Sequence, residues 1–330
     1  MKKAFITGAA GFLGSHLVEE LYKHGYSMAG LIQRNEDIYY IKNFKINIIK
    51  GDLLKPETFA RYIPKNSVVF HCASLGPGFK EKKRKYFLIN VEGTKNLLKA
   101  CLNKKISKFV YISSGAAVGV LGKKNNLIKE NTFPQPDSYY GESKLAAEKI
   151  VEDFAKKTNI PCIIIRPFII YGPRMPEKSG AANIFRIAKK PIIPIIRKLN
   201  GPYDFCYVKD VVTGIILASK KVKRGVKLYN LSNIRKQSYM EIILTIKSVL
   251  GTNQSIINIP LPIAQIIAFF GDILIKISGK KNLYSSRTLK ILEGNGAADC
   301  KKAVQELNYK QNFSLEEGIK ETVEWLKNKN

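Results

Sequence analysis

The 330-residue sequence predicts an α/β fold, a doubly wound parallel sheet with a smaller, mostly helical C-terminal part. Three observations carry that prediction. Short apolar runs recur without polar alternation, and amphipathic stretches of helical period separate them. Strands that are apolar on both faces must be covered on both sides, which is the condition of a parallel sheet with crossover helices. Beyond Phe168 the alternation gives way to loops rich in Pro and Gly, followed by helices.

The strands follow in order. "AFITG" (4–8), "SMAGLIQ" (27–33), "INIIKGD" (46–52), "VVFHCA" (68–73), "FVYISS" (109–114) and "CIIIRP" (162–167) are β-rich and bounded by turn residues, and "VKLYNLS" (226–232) adds one more. "LGSHLVEELYKHG" and "VEGTKNLLKACLNKK" are amphipathic helices between them. Helices are expected at about 238–250 and 260–278, with a last one in "SLEEGIKETVEWLKNK". Residues 1–167 and 204–232 are assigned to the sheet domain, which would bind a dinucleotide. Residues 168–203 and 233–330 are assigned to a substrate-binding part beyond the strand ends, where such folds hold ligands.

Charge is the unusual quantity. Fifty-five Lys and Arg against 26 Asp and Glu give +29. The lysines are scattered as singles and pairs, and only "KEKKRK" (80–85) forms a cluster, so they read as solvated faces. No groove-reading motif is present, and no nucleic-acid partner is expected. The five cysteines (72, 101, 162, 206 and 300) contain no C-x-x-C, which suits free thiols in a reducing, cytoplasmic setting. His16, His24 and His71 are too few and too scattered for zinc, so no metal is expected. The first residues already form a strand pattern, and no signal peptide is expected.

In the 260–279 stretch, Gln265, Asp272 and Lys276 share one narrow face and nearly everything else is apolar. Two charges inside it speak against a membrane span. A buried helix or a subunit contact is expected, with a peripheral membrane contact as the alternative.

Three features carry chemistry. "TGAAGFLG" follows a strand and opens a helix, the context in which spaced glycines hold a dinucleotide. Gly8 permits the turn, Gly11 lets backbone approach a pyrophosphate, and Gly14 allows close helix–strand packing. The phosphates would then meet free N–H groups at the helix N-terminus. In "YYGESKLAAEK", Tyr140 and Lys144 stand at i and i+4 on one side of a helix, where the ammonium would favour the phenolate. Ser113 and Ser114 end a strand at the ligand edge, where a hydroxyl can bond a substrate oxygen.

As a set, these motifs resemble the extended short-chain dehydrogenase/reductase family, within the NAD-dependent epimerase/dehydratase superfamily, over nearly the whole chain. The resemblance includes "GDL" (51–53), "NVEGTKNLL" (90–98), "RPFIIYGP" (166–173) and "FCYVKDVV" (205–212). It implies a Rossmann-like fold and an enzyme with Ser114, Tyr140 and Lys144 as catalytic residues. It also implies cofactor contacts from Gly8, Gly11, Phe12, Leu13, Asp52, Leu53, Ala73, Asn90, Tyr140, Lys144 and Pro167. NAD-preferring members usually carry an acid at the end of the second strand. Here Ile32 and Gln33 stand there and Arg34 follows, which favours NADP over NAD, although Glu36 and Asp37 come soon after.

Among the family's reactions, dehydration is disfavoured, since "SSGAAVG" lacks the acidic pair that follows the serine in dehydratases. Nucleotide-sugar enzymes usually carry an Arg before the "FCYVKD" strand, where this chain has Tyr203 and Asp204, although Arg174, Arg186 and Arg197 offer substitutes. The C-terminal part looks most like the 3β-hydroxysteroid dehydrogenase and dihydroflavonol reductase branch. The expected reaction is hydride transfer to or from a secondary alcohol or ketone of a small-molecule substrate. The alternatives are a UDP-sugar 4-epimerase with tightly held NAD and a binding protein without turnover. A homodimer through the "NVEGTKNLL" and Y-x-x-x-K helices is implied by the resemblance.

Overall fold

The computed structural model describes residues 2–77, 81–120, 126–253, 255–278 and 285–329. Lys80, the first residue of the basic cluster, lies outside them. Seven strands, β1 (Lys3–Thr7), β2 (Ser27–Ile32), β3 (Ile46–Lys50), β4 (Val68–His71), β5 (Lys108–Ile112), β6 (Cys162–Pro167) and β7 (Val226–Leu231), form one parallel sheet. Their spatial order is 7-6-5-4-1-2-3. The order reverses beside β1, so the connections that leave β1 and β4 run to opposite faces of the sheet and leave a crevice at the carboxyl ends.

The helices that position the site are α1 (Phe12–Lys23), α2 (Gly93–Leu102), α3 (Tyr139–Thr158), α4 (Gly180–Ala188), α5 (Val208–Lys221), α6 (Tyr239–Leu250), α7 (Leu261–Ser278), α8 (Lys301–Leu307) and α9 (Leu315–Asn328). Alternation along β1 explains why both faces of the sheet are buried. Ala4 and Ile6 enter one core with Leu17, Val18 and Leu21 of α1 and Val211 and Ile215 of α5. Phe5 enters the opposite core with Leu97 and Leu98 of α2 and Val151 and Phe154 of α3. Local signals stop and start these helices. Ser138 caps α3, its hydroxyl accepting from the Gly141 N–H, and Asn159 ends it in a left-handed conformation.

A third apolar cluster joins α4, α6 and α9 to Tyr171, Phe205 and Tyr207, with the Tyr171 and Phe205 rings stacked 4.0 Å apart. Ala303 and Leu307 of α8, together with Tyr309, return to the core on the α1 side of the sheet. Among the described residues all five cysteines are free thiols.

Helix α7 departs from the expected buried helix. It buries Ala264, Ala268 and Gly271 and turns its large apolar side chains outward. Only the small side chains let its backbone approach the protein, so the bulky ones are left on the far side. Among the described residues, no helix is long and apolar enough to cross a membrane.

Candidate active site

The glycine loop lies between β1 and α1, at the crevice. Gly8 has φ +65°, and a Cβ there would stand 2.9 Å from the Ala73 backbone. A Cβ at Gly14 would fall 2.0 Å from the Gly8 carbonyl oxygen, so that glycine is required for α1 to pack on its own loop. Gly11 differs from both. A Cβ there would meet only the Gly8 oxygen, at 3.2 Å, which leaves an open cradle above the helix. No side chain caps the α1 N-terminus, so its first-turn N–H groups face that cradle beside Phe12 and Leu13. These features fit an anionic pyrophosphate.

Ser114 follows β5 and caps the turn Gly115–Ala117, its hydroxyl accepting from the Ala116 N–H at 3.2 Å. Helix α3 rests its first turn on that same backbone. A Cβ at Gly141 would lie 2.2 Å from the Ala116 carbonyl oxygen, so the glycine after Tyr140 is what brings the two elements together. Gly115 makes similar room for the Phe168 ring. Tyr140 is partly exposed and sits edge-on to Tyr86 at 6.3 Å, with Ser114 acting to lower its phenol.

Lys144 takes a different place from the one its spacing suggests. Its ammonium donates to the Ile112 carbonyl at 2.6 Å and lies over the Tyr111 ring at 4.8 Å, fully buried. The expectation that Lys144 favours the Tyr140 phenolate is therefore corrected. Apolar surroundings push the Tyr140 phenol up to about 12, and the group that opposes the rise is Ser114. Burial pulls Lys144 down to about 8, with Cys72 and Glu148 opposing.

Beneath these residues is a polar network that the sequence reading missed. Glu148, one turn beyond Lys144, accepts from Ser113 and from both Nε and Nη2 of Arg166, at 2.5, 2.8 and 2.6 Å. All three residues are buried. The network ties α3 to the ends of β5 and β6, which holds Tyr140 and Lys144 in register with Ser114. The available signals were a Glu at i+4 from Lys144 and an Arg ending an otherwise apolar strand.

The remaining expected contacts lie around the same crevice in varied states. Asn90 is buried and its amide is fully engaged, accepting from Leu75 N–H at 2.7 Å and donating to the Leu75 carbonyl and Ser143. It shapes the loop after β4. Ala73 contacts the glycine loop and donates its N–H to Thr7. Leu53 packs against Gly93, and its carbonyl accepts from Asn96. Asp52 is exposed and caps its own turn through the Leu54 N–H. Pro167 ends β6, buried. Arg34 is exposed beyond β2 and makes no ion pair among the described residues, while the Glu36 carboxylate accepts from the Gln33 N–H. His71, below the loop, bonds Thr7 and Thr94, and burial lowers it to about 3.

The chain is similar to known proteins over nearly its whole length. Over 341 residues the chain is 28% identical to a protein of Bacillus subtilis (strain 168) named as an uncharacterized UDP-glucose epimerase, covering 98% of each. It is 27% identical to the mouse (Mus musculus) sterol-4-alpha-carboxylate 3-dehydrogenase, decarboxylating, covering 98% of this chain and 90% of that one. The crystal structure of UDP-glucuronic acid 4-epimerase from Bacillus cereus in complex with NAD superposes with a TM-score of 0.75 at 25% identity, over 99% of both chains. The model of the NAD dependent epimerase/dehydratase family matches residues 4–232, the span that holds the glycine loop, Ser114, Tyr140 and Lys144. The chain belongs to that family.

Proposed function

We propose that this protein is an NAD(P)-dependent oxidoreductase that moves a hydride between the nicotinamide and a secondary alcohol or ketone. The observation that carries this choice within the family is the state of Asp204. Nucleotide-sugar enzymes usually carry an Arg at this place to grip a diphosphate. Here Asp204 is buried, pairs with Lys236 at 2.7 Å and accepts from the Ala298 N–H at 2.6 Å. Tyr203 beside it is buried and paired with Gln237 in a short antiparallel bridge. The position is committed to structure. Of the substitute cations, Arg174 is held by Glu19 at 2.7 Å, and Arg186 by Asn183 and the Glu177 carbonyl.

In this reading the glycine loop, Asp52, Leu53, Ala73, Asn90 and Pro167 line the dinucleotide, and residues 168–203 and 233–330 supply the substrate contacts. When bound, the dinucleotide supplies or accepts the hydride. For reduction of a ketone, the Ser114 hydroxyl donates to the carbonyl oxygen and orients it. Tyr140 then transfers its phenolic proton to that oxygen as it gains charge. A phenol held near 12 keeps its proton through neutral pH, which suits a donor. Lys144 is the buried cation on the same helix, held there by the Ile112 carbonyl. Exposed Arg34 fits a 2′-phosphate and supports NADP as the preferred form. A homodimer through α2 and α3 and a cytoplasmic location complete the proposal.

The second reading, a UDP-sugar 4-epimerase, is favoured by the name of the Bacillus subtilis relative. One experiment separates the two. The purified protein is denatured, any released nucleotide is identified, and the stripped protein is titrated with NADPH and NADH. An empty site preferring NADPH, with turnover of simple ketones, is the expected result. Tightly retained NAD with UDP-sugar interconversion would overturn it.

A further inference from the structure

Helix α7 has three faces. Ala264, Ala268 and Gly271 are buried against the protein, and Gln265, Asp272 and Lys276 form a polar strip. The third face is apolar and open, with Ile263 50%, Ile266 58%, Ile267 37%, Phe270 57% and Ile277 79% exposed. At about 100° per residue these five side chains fall within roughly 100° of one another. A folded chain normally turns its large apolar residues inward, and α7 leaves them in solvent.

The charge around this helix says what covers the face. From Asp272 to Glu293 the sequence contains five basic residues, Lys276, Lys280, Lys281, Arg287 and Lys290, and no acid between those two. Arg287 pairs with Asp137, while Lys276 and Lys290 are exposed. The whole chain carries +29. A second copy docked face to face here would set the exposed Lys276 and Lys290 near their own copies. A surface that is apolar inside and negative at its edge complements both properties at once. Asp272 and Lys276 stay out of hydrocarbon only if the helix lies along that surface rather than across it.

We propose that the open face of α7 docks the protein on an anionic lipid surface, with the helix in the plane of the headgroups. The five apolar side chains enter the acyl boundary, and Lys276 and Lys290 meet lipid phosphates and carboxylates. The proposal holds whichever reaction the crevice performs.

The test is co-sedimentation of the full chain with vesicles of phosphatidylcholine alone, and of phosphatidylcholine with phosphatidylserine in equal parts. Binding is expected to the second kind and to fall as salt rises. The double variant Ile266→Gln/Phe270→Gln is expected to weaken that binding by about tenfold or more. Lys276→Glu, which leaves the apolar face intact, is expected to weaken it several-fold. A chain that stays in the supernatant with both vesicles, or variants that bind as well as the parent, would overturn the proposal. So would a lipid-free dimer that the double variant dissociates, since it would assign the face to a second copy.

Discussion

Helices α3 and α7 are of similar length, 20 and 18 residues, and they treat polarity in opposite ways. Helix α3 buries Ser143, Lys144 and Glu148, and each finds a partner inside the chain. Helix α7 buries small apolar residues and leaves Ile266, Phe270 and Ile277 in solvent. Buried polar groups left unpaired are costly, so α3 tolerates few rearrangements. Exposed apolar groups lose little when changed within the free chain. The difference teaches where this molecule is complete in itself and where it is built toward something else.

The sharpest way to probe α3 is at its reacting end. Tyr140→Phe removes one hydroxyl and is expected to lower turnover about 10^2- to 10^4-fold while leaving dinucleotide titration unchanged. Retained turnover would remove Tyr140 from the chemistry. In the parent protein the reduction rate is expected to be level through neutral pH, because Tyr140 keeps its proton there, and a fall within that range would assign the proton donor elsewhere.

Below that end the test is one of stability. Glu148→Ala strands the Arg166 cation and the Ser113 hydroxyl in the core, and denaturant unfolding should register a loss of about 3–5 kcal/mol. A loss near zero would mean that water reaches the network.

His71 gives a pH counterpart. Its folded value of about 3 lies below the ordinary 6.5, so below 6.5 the unfolded chain takes up a proton that the folded chain refuses. Stability is therefore full above that pH and declines as pH falls toward the folded value, by on the order of 5 kcal/mol. His71→Gln is expected to flatten that part of the stability–pH curve, and an unchanged slope would assign the acid sensitivity elsewhere. The smallest effect belongs to α7, where Ile266→Gln should change stability by no more than about 0.5 kcal/mol. A large loss there would erase the contrast between the two helices.

Much of this molecule was legible in the sequence because the signals are local. Five of the seven strands lie within their expected runs and the other two, at Lys3 and Lys108, begin one residue early, since an apolar β-rich run flanked by turn residues declares itself without its partners. The glycine spacing anticipated the turn at Gly8 and the tight packing at Gly14. The i, i+4 spacing placed Tyr140 and Lys144 on one helix, yet it misjudged their interaction. Which way a lysine turns depends on the carbonyl waiting for it, and here that carbonyl is Ile112, 32 residues away in sequence.

By itself, then, the sequence determined the strands, the helices, the glycine loop and the presence of Ser114, Tyr140 and Lys144, because period and spacing act between near neighbours. Only the tertiary structure decided that Glu148 and Arg166 brace the site, that Asp204 is a structural acid, and that α7 faces outward. Each of those outcomes depends on which distant surface desolvates a group and which distant atom satisfies it, and no local pattern carries that information.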